Sequence, residues 1–240
     1  MSLPLGVHRR LPRRLPRSLG FKKYTLSFDG VDDYVESSVL KIFDGDFTIE
    51  LLFKSGDKRE GFMLVGNYPN GYVMPFVSFY TEPDGKISFY HRDVDGRGCR
   101  PITESVVLDN KWHHIVGVRD RTNAKSSVYV DGKLDTQEDD ATTDCNNDYP
   151  ITLMLHNNDR FLRGYIAFVR IYSRGLSQAE IRWNMLEYHN PVRDGLVLWL
   201  HDRIVGDTWY DESPYNNDGT IYGAVKKGLA MWEIRAELGL

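Results

Sequence analysis

Residues 128–134 read Val-Tyr-Val-Asp-Gly-Lys-Leu, which is the pattern of a tight β-hairpin. β-Branched and aromatic residues favour extended backbone on either side of the turn. The Asp-Gly pair supplies the positive φ angles that a two-residue turn needs. Outward from this hairpin, further Asp-Gly or Asn-Gly pairs begin at Asp29, Asp44, Asn70, Asp84 and Asp95. These recurring turn signals predict many short strands.

The stretches between these turns are short and either alternate apolar with polar residues or are continuously apolar. We predict strands at 24–28, 47–53, 62–65, 73–80, 87–90, 112–119, 126–130, 151–155 and 165–172. Strands of this length at such regular spacing are typical of an antiparallel sandwich. The predicted fold class is all-β: an antiparallel two-sheet jelly-roll sandwich with one short C-terminal helix and an extended basic N-terminal arm.

The short helix is predicted after the last of these strands. Ser177 precedes residues 178–186, and a glutamate stands three residues after it, which is the spacing of a capping box. Ile181, Met185 and Tyr188 would share one face of the helix. This pattern indicates a structural helix that packs against the sandwich.

Four stretches of the chain, taken in order, carry a family resemblance. They are Leu26–Val35 with its Phe-Asp-Gly turn, Phe47–Glu50, Trp112–Val118 followed by the hairpin, and Gly164–Tyr172 followed by the helix. Together they resemble the laminin-G-like jelly rolls of the concanavalin A-like lectin/glucanase superfamily, over about residues 24–188. The resemblance implies the fold but says little about the ligand, because function depends on the individual site.

The resemblance also implies a calcium ion near the first Asp-Gly turn. Asp29, Asp32 and Asp33 could supply some of the six to eight oxygen ligands that calcium requires. An acidic pair that the family usually carries in the last strand is replaced here by Ala167 and Phe168. We predict Asp29 and Asp32 as candidate metal ligands and calcium as the candidate cofactor. The alternative is ordinary turn chemistry, because Asp readily bonds its own loop.

The acidic residues do not have the arrangement of a glycosidase. Family members with glucanase activity carry acids at alternate positions of one strand, where the carboxylates share a face. Here Asp93 and Asp95 lie in a glycine-rich turn, and residues 138–140 are a consecutive acidic run. His113 and His114 are adjacent in a strand, so one should face the core and one outward. We therefore predict that the protein is not an enzyme.

The first 23 residues form a basic arm on an acidic body. They contain seven Lys or Arg and no acid, whereas the formal charge of the whole chain is −4. Arg-Arg-Leu-Pro occurs at 9–12 and again at 13–16, and the prolines favour an extended strap. We predict that the arm docks on a partner with an acidic surface or groove. Its candidate docking residues are Arg9, Arg10, Leu11, Arg13, Arg14, Leu15 and Arg17.

The leucines of the arm bear on the kind of partner. Nucleic acid or an anionic lipid would attract the arginines, but phosphates do not need leucines. Other protein subunits, either copies of this chain or a capsid-type protein, are therefore favoured over nucleic acid. A disordered, solvated tail is the alternative.

Residues 24–190 are assigned to the jelly roll, and 191–240 form an extension whose packing the sequence leaves open. Residues 194–200 begin a strand, and 211–224 resemble a segment that in the family precedes the first strand of a domain. The extension could complete the first sandwich, form a small satellite on it, or pair with a neighbouring subunit. Helical spacing at 230–238 would require a surface for Trp232 and Ile234.

Three further features of the sequence concern membrane insertion, secretion and disulfide bonding. No run of 18 apolar residues occurs, so no transmembrane segment is expected, and the N-terminus lacks the apolar stretch of a standard secretion signal. Cys99 and Cys145 could form one disulfide or remain two thiols.

Two functions of different class fit these features. The favoured one is a non-enzymatic structural or assembly protein on the surface of a virion or another extracellular particle (decoration, fibre or capsid-associated), docked through its arm. The alternative is a carbohydrate-binding, lectin-like module on a cell surface or secreted protein. Tyrosines near predicted turns are candidates for stacking on surface glycans: Tyr68, Tyr72, Tyr90 and Tyr149.

Overall fold

The computed structural model describes residues 23–68, 74–157 and 159–240. The candidate docking residues of the arm and Tyr72 lie outside the described residues. The strands are β1 Lys23–Asp29, β2 Tyr34–Val39, β3 Phe47–Lys54, β4 Met63–Gly66, β5 Phe76–Thr81, β6 Ile87–Arg92, β7 Gly98–Cys99, β8 Trp112–Asp120, β9 Lys125–Val130, β10 Lys133–Asp139, β11 Pro150–Leu153, β12 Leu155–His156, β13 Arg160–Phe161, β14 Arg163–Tyr172, β15 Leu196–Val205, β16 Thr208–Asp211, β17 Gly219–Tyr222 and β18 Val225–Leu229. The helices are α1 Gln178–Leu186 and α2 Met231–Glu237.

The strands of the described residues pair antiparallel and fold into a two-layer sandwich, which confirms the predicted all-β jelly roll. The described residues contain two short helices where one was predicted, and the predicted extended arm lies outside them. Their order is β10-β9-β8-β3-β14-β15-β16-β17-β2-β11-β4-β5-β6-β7, with β1 between β14 and β18. The two halves of this order face each other across the core. The rings of Phe47 on β3 and Phe89 on β6 lie 5.8 Å apart between centroids. A side chain at Gly117 of β8 would collide with the same Phe89 ring, at 2.6 Å.

The two strongest local signals of the sequence, the Asp-Gly hairpin and the capping box, are confirmed. Asp131 and Gly132 both have positive φ and join β9 to β10 as a tight hairpin. Ser177 caps α1 through the amide of Glu180, whose carboxylate accepts a bond from the Ser177 amide, so the capping box is complete. The single strand predicted at 151–155 is two strands, because Met154 between them has a φ of 64°.

The C-terminal extension lies inside the strand order. Strands β15, β16 and β17 stand between β14 and β2, and together they connect the two layers. Their inward side chains Leu198, Leu200 and Trp209 are fully buried in the main hydrophobic core. Of the packings that the sequence left open, this arrangement places the extension within the sandwich of its own chain.

Helix α2 covers the outer face of the layer that contains β3 and β14. Ile234 is buried there against Leu52, Phe168 and Tyr188. Trp232 remains 76% exposed. Of the two residues expected to need a surface, the described part of the chain therefore covers Ile234 but leaves Trp232 exposed.

Both cysteines are buried free thiols. Burial raises the pKa of Cys99 and of Cys145 to about 12. Because the thiolate is the reactive form, neither side chain is activated as a nucleophile at neutral pH.

Candidate functional site

The outer face of β5 and β6 carries large aromatic side chains. Along β5, Val77 and Phe79 point into the core, and Phe76 and Tyr80 consequently point outward, since side chains alternate in a strand. In register with them, Tyr90 of β6 lies opposite Ser78 and Arg92 lies opposite Phe76. Two neighbouring strands thus place aromatic and basic side chains on one patch of the surface.

These aromatic rings form a cluster with edge-to-face contacts. The ring centroids of Phe76 and Tyr90 are 4.9 Å apart, and those of Tyr68 and Phe76 are 4.6 Å apart. His156 of β12 lies 4.8 Å from the Tyr68 ring and 4.9 Å from the Tyr80 ring. Phe76, Tyr80 and His156 are buried and make the floor, whereas Tyr68 and Tyr90 are half-buried walls.

Hydrogen bonds fix the orientation of His156. Its Nδ1 lies 2.8 Å from the carbonyl of Gly61, to which it can only donate. Its Nε2 therefore accepts from the hydroxyl of Tyr80, at 3.2 Å. Burial lowers the pKa of His156 and raises that of Tyr80, so both groups are neutral at pH 7. The floor is consequently uncharged and held in one geometry.

Two arginines form the rim of this cluster. The guanidinium of Arg100 lies over the Tyr90 ring at 5.3 Å from the centroid and donates to Glu82 at 2.9 Å. Arg92 donates from Nη2 to the carbonyl of Gly96. Its Nε is buried and has no hydrogen-bond partner among the described residues. A buried donor without a partner is rare in native proteins, so the bonding of Arg92 is incomplete within the described residues.

The cluster lines an open surface cavity of about 200 Å³. We call it the aromatic cavity, and its lining residues are Gly61, Tyr68, Met74, Phe76, Tyr80, Tyr90, Arg92, Arg100 and His156. Small-molecule sites combine an apolar lining with a few convergent polar groups. Here ring faces and edges offer apolar contact, and arginine and tyrosine groups offer hydrogen bonds at the rim. This combination suits a small amphipathic ligand with a flat apolar face and several oxygens.

The sequence identified part of this cavity. Tyr68 and Tyr90 come together in it, whereas Tyr149 is not among its lining residues. Sequence reasoning missed the arginines, Phe76, Tyr80 and His156. The outward alternation along β5 and β6 could have indicated the residues of those two strands. His156 carried no such signal, because it reaches the cavity from a distant part of the chain.

A wider cleft of about 960 Å³ lies beside the first Asp-Gly turn and between β1, β3 and β14. It is open and its walls are strongly charged. Lys54 is paired with Glu233 at 2.7 Å, and the Nε of Arg59 donates to Asp57 at 2.9 Å. Lys54, Asp57 and Arg59 are thus compensated within the protein, whereas Lys58 and Arg163 of the lining form no ion pair among the described residues. We prefer the aromatic cavity as the binding site because it combines apolar rings with a few polar groups.

The candidate metal ligands border this cleft. Asp29, Asp32 and Asp33 bring carboxylate oxygens within 4.8 Å of one another. The loop itself uses two of these groups: Asp33 Oδ2 accepts from the amide of Asp29 at 2.8 Å, and Asp29 Oδ1 accepts from the amide of Val31 at 2.8 Å. Carboxylates so engaged can still bind a cation through their other lone pairs.

Three carboxylates fall short of the six to eight oxygens of a calcium site. The usual acidic positions of the last strand, Ala167 and Phe168, are buried apolar residues. Arg163 packs closely on the turn, because a Cβ atom added at Gly30 would lie only 2.9 Å from the Cβ of Arg163. The three carboxylates could supply only part of a calcium ligand set, and calcium binding stays a prediction.

The acidic residues that lack the spacing of a glycosidase have hydrogen-bond partners within the fold. Asp93 is buried and accepts hydrogen bonds from the amides of Arg97 and Thr143 at 2.9 Å. Asp140 accepts from Arg119 Nε at 2.9 Å and lies 3.0 Å from His91 Nε2. These contacts fix the loops that follow β6 and β10.

The two adjacent histidines face opposite sides, as predicted. His114 is buried with its Nε2 2.7 Å from Glu50. His113 lies between Asp131 and Asp109, with its ring nitrogens 3.0 and 3.1 Å from their carboxylates. Both are engaged within the fold.

Sequence comparison now identifies the family. Residues 29–182 match the family model Laminin_G_3, described as Concanavalin A-like lectin/glucanases superfamily. The match covers more than half of the chain, and the protein belongs to this family, which confirms the resemblance. No curated protein gives a significant match to the sequence.

Solved structures share the fold at low sequence identity. A proposed carbohydrate binding protein from Bacteroides ovatus matches with a TM-score of 0.69 and 18% identity, over 87% of this chain and 60% of that chain. A heptameric SAP-like pentraxin from Limulus polyphemus gives 0.61 and 10% identity, over 88% of this chain and 97% of the other. The CBM40 of the Ruminococcus gnavus IT-sialidase gives 0.55 and 15%, over 68% and 97%. This chain thus spans about 60% of the length of the Bacteroides ovatus protein.

A membrane-spanning helix was not expected from the sequence. Within the three described ranges, neither α1 nor α2 has the length and apolar character to cross a bilayer.

Proposed function

We propose that this protein is a non-catalytic carbohydrate-binding module that holds a sugar in the aromatic cavity. The observation that carries the proposal is the cavity itself: tyrosine walls, a neutral aromatic floor and an arginine rim on the outer face of one sandwich layer. A sugar ring has an apolar face that packs against an aromatic side chain and hydroxyls around its edge that need hydrogen bonds. The cavity offers both kinds of contact at one place.

The relatives support this proposal through the kind of protein they are. The Bacteroides ovatus protein is described as a proposed carbohydrate binding protein, and the Ruminococcus gnavus structure is described as the CBM40 of a sialidase. At such low identity they share the fold with this chain, and the specificity must come from its own cavity residues. By the same reasoning we propose that the protein acts as an extracellular or surface module.

The rim residues define what the sugar must offer. Arg92 has a donor at Nε that no described group accepts, whereas Arg100 is already paired with Glu82. We therefore expect Arg92 to donate to a hydroxyl, ring or carboxylate oxygen of the sugar. Tyr90 is half-buried beside it and presents a ring for stacking.

A glycan array with the full-length protein tests this proposal. We expect a restricted set of glycans to bind, and we expect Tyr90→Ala and Arg92→Gln to lose that binding. Tyr149→Ala is the matched control, because Tyr149 is exposed and lies outside the cavity. An array without any bound glycan, or the same set bound by Tyr90→Ala, would contradict the proposal.

The assembly role that the sequence favoured stays a prediction. It depends on the arm, which lies outside the described residues, and the comparisons favour the carbohydrate-binding alternative. The two roles are compatible, since a particle surface protein can also bind glycans. Deletion of residues 1–22, which is the predicted arm without Lys23 because Lys23 begins β1, should then leave the protein folded and abolish its incorporation into a particle. Normal incorporation of the deletion variant would contradict arm docking.

Calcium at the first turn is a separate proposal. Asp29 and Asp32 would supply carboxylate oxygens, and the bound ion would hold the turn that borders the wide cleft. Calorimetric titration of calcium into chelator-treated protein should release heat that Asp32→Asn reduces. An absence of heat and of any thermal shift would contradict it.

A further inference from the structure

Three side chains with metal-binding atoms converge where the turn after α1 meets β15. They are His189, His201 and Asp202, and their ligand atoms all lie within 4.8 Å of one another. Asp202 Oδ2 is 3.5 Å from His189 Nδ1 and 3.6 Å from His201 Nε2. Ligand atoms placed tetrahedrally at the usual zinc distances are separated by about 3.3–3.5 Å. The observed spacing is thus close to the edge of a zinc coordination tetrahedron.

The carboxylate is held in the orientation that such a site requires. Asp202 Oδ1 accepts a hydrogen bond from the amide of Tyr24 on β1, at 3.2 Å. The other oxygen, Oδ2, is therefore directed towards the two imidazoles. The nearby Lys23 forms no ion pair with Asp202 among those of the described residues. The charge of Lys23 acts on Asp202 and His189 at longer range, but Oδ2 of Asp202 has no direct contact with a lysine or arginine among the described residues.

His201 provides the strongest sign of a missing ligand. Only 3% of the residue is exposed, yet its Nε2 has no hydrogen-bond partner among the described residues. On the other side of the ring, Nδ1 faces Glu212 Oε1 at 3.7 Å. This distance is longer than a hydrogen bond, but it places a carboxylate on the side of the ring where metal-bound histidines usually have one, which would leave the lone pair of Nε2 for the metal.

His91 and His114 also have a buried ring nitrogen, Nδ1, without a hydrogen-bond partner among the described residues, so the surroundings of each histidine have to be compared. His91, Cys99 and Asp140 also converge, but the guanidinium of Arg119 already donates to Asp140 there, at 2.9 Å. A metal ion at that place would meet a fixed positive charge. His113 has both ring nitrogens engaged by carboxylates.

We propose that His189, His201 and Asp202 bind a zinc ion, with Glu212 as the carboxylate that orients His201. Two imidazoles and one carboxylate favour zinc over calcium, which takes oxygen ligands. The ion would tie the turn after α1 to β15 and, through Asp202, to β1. It thus connects the family-defined body of the domain to the strand that begins the C-terminal extension. The proposal is independent of carbohydrate binding.

Calorimetric titration of zinc into chelator-treated, full-length protein tests the site. We expect one zinc ion per chain and a higher melting temperature in zinc than in chelator. His189→Ala and Asp202→Asn should each weaken binding by at least about tenfold, and Glu212→Gln by about tenfold. Cobalt(II) as a probe should give the visible absorption of a tetrahedral complex, which His189→Ala should remove.

The controls separate this site from other histidines. His189 is a partly exposed turn residue, so His189→Ala should melt at the wild-type temperature when both are in chelator. His8→Ala and Cys99→Ser should keep the stoichiometry and affinity of the wild type. The proposal is overturned if the wild type binds no zinc, if His189→Ala and Asp202→Asn bind it as tightly as the wild type, or if His8→Ala or Cys99→Ser abolishes binding.

Discussion

Glu50 lies in the middle of β3 with no exposed surface, which is an expensive place for a carboxylate. Its Oε1 accepts from Arg170 Nη1 at 3.0 Å and lies 2.7 Å from His114 Nε2, and its Oε2 accepts from Asn184 at 2.9 Å. Burial would raise the pKa of Glu50, but Arg170 and His114 outweigh it and hold the pKa below its ordinary value. The group connects three strands of one layer to α1.

Removal of this buried carboxylate should be costly. Glu50→Ala leaves the buried guanidinium of Arg170 without its partner, and we expect a loss of about 3–5 kcal/mol in the free energy of unfolding. Urea denaturation measures it. Asp148→Ala is the matched control, because its ion pair with Lys41 is exposed and should contribute little. Equal effects of the two substitutions would contradict this view of Glu50.

A second buried network predicts how stability depends on pH. Burial lowers the pKa of His91 despite its bond to Asp140. As the pH falls below about 6.5, the unfolded chain therefore binds a proton at His91 more readily than the folded chain does, and stability decreases. Burial would raise the pKa of Asp140, but His91 and Thr142 outweigh it and lower that pKa. The stability that Asp140 contributes is therefore present above its ordinary pKa and is lost at lower pH.

Both groups act in the same direction, and we expect the urea midpoint to fall from pH 7 to pH 4. Burial also lowers the pKa of His156, so His156 adds to the loss of stability at low pH. His113 has the opposite effect, because the carboxylates of Asp131 and Asp109 outweigh burial and raise its pKa. The measurement belongs in chelator, so that metal binding does not contribute. The variant His91→Gln should show a smaller loss between pH 7 and pH 5. A midpoint that stays constant or rises on acidification would contradict the expected sign.

At the scale of the elements, the sequence predicted those features that local chemistry determines. The Asp131-Gly132 hairpin and the capping box of α1 depend on neighbouring residues only, and both are present. The aromatic cavity could be predicted only in part, since pairing of β5 with β6 and the approach of β12 create it. The partner of Glu50 at Arg170 is 120 positions away, and no local pattern indicates it.

Helix α2 gives a prediction at this scale, because its two large apolar residues differ in burial. Ile234→Ala should cost about 2–5 kcal/mol, since Ile234 is 2% exposed and packs against Phe168 and Tyr188. Trp232→Ala should change stability little, because Trp232 points to solvent. Thermal unfolding of the two variants distinguishes them. A larger effect of Trp232→Ala would mean that this tryptophan has a partner in solution.

For the whole molecule, the sandwich includes strands that lie beyond the end of the family match. The match ends at residue 182, yet β15–β17 stand between β14 and β2 and place Trp209 in the core. The sequence could predict a strand at 194–200 but not its neighbours, because hydrophobic alternation does not specify which strand is adjacent. The overall fold was predictable from its repeated turns, whereas the function depends on how distant strands bring side chains together.

The central claim is that the aromatic cavity binds a sugar, and a calorimetric titration tests it most directly. The best glycan from the array is titrated into the wild type, Tyr90→Ala and Tyr149→Ala. We expect a single site, an affinity at least about tenfold weaker for Tyr90→Ala, which corresponds to about 1.4 kcal/mol, and an unchanged affinity for Tyr149→Ala. The assignment of this cavity would be contradicted if Tyr90→Ala bound the glycan as tightly as the wild type. It would also be contradicted if Tyr149→Ala weakened binding as much as Tyr90→Ala does.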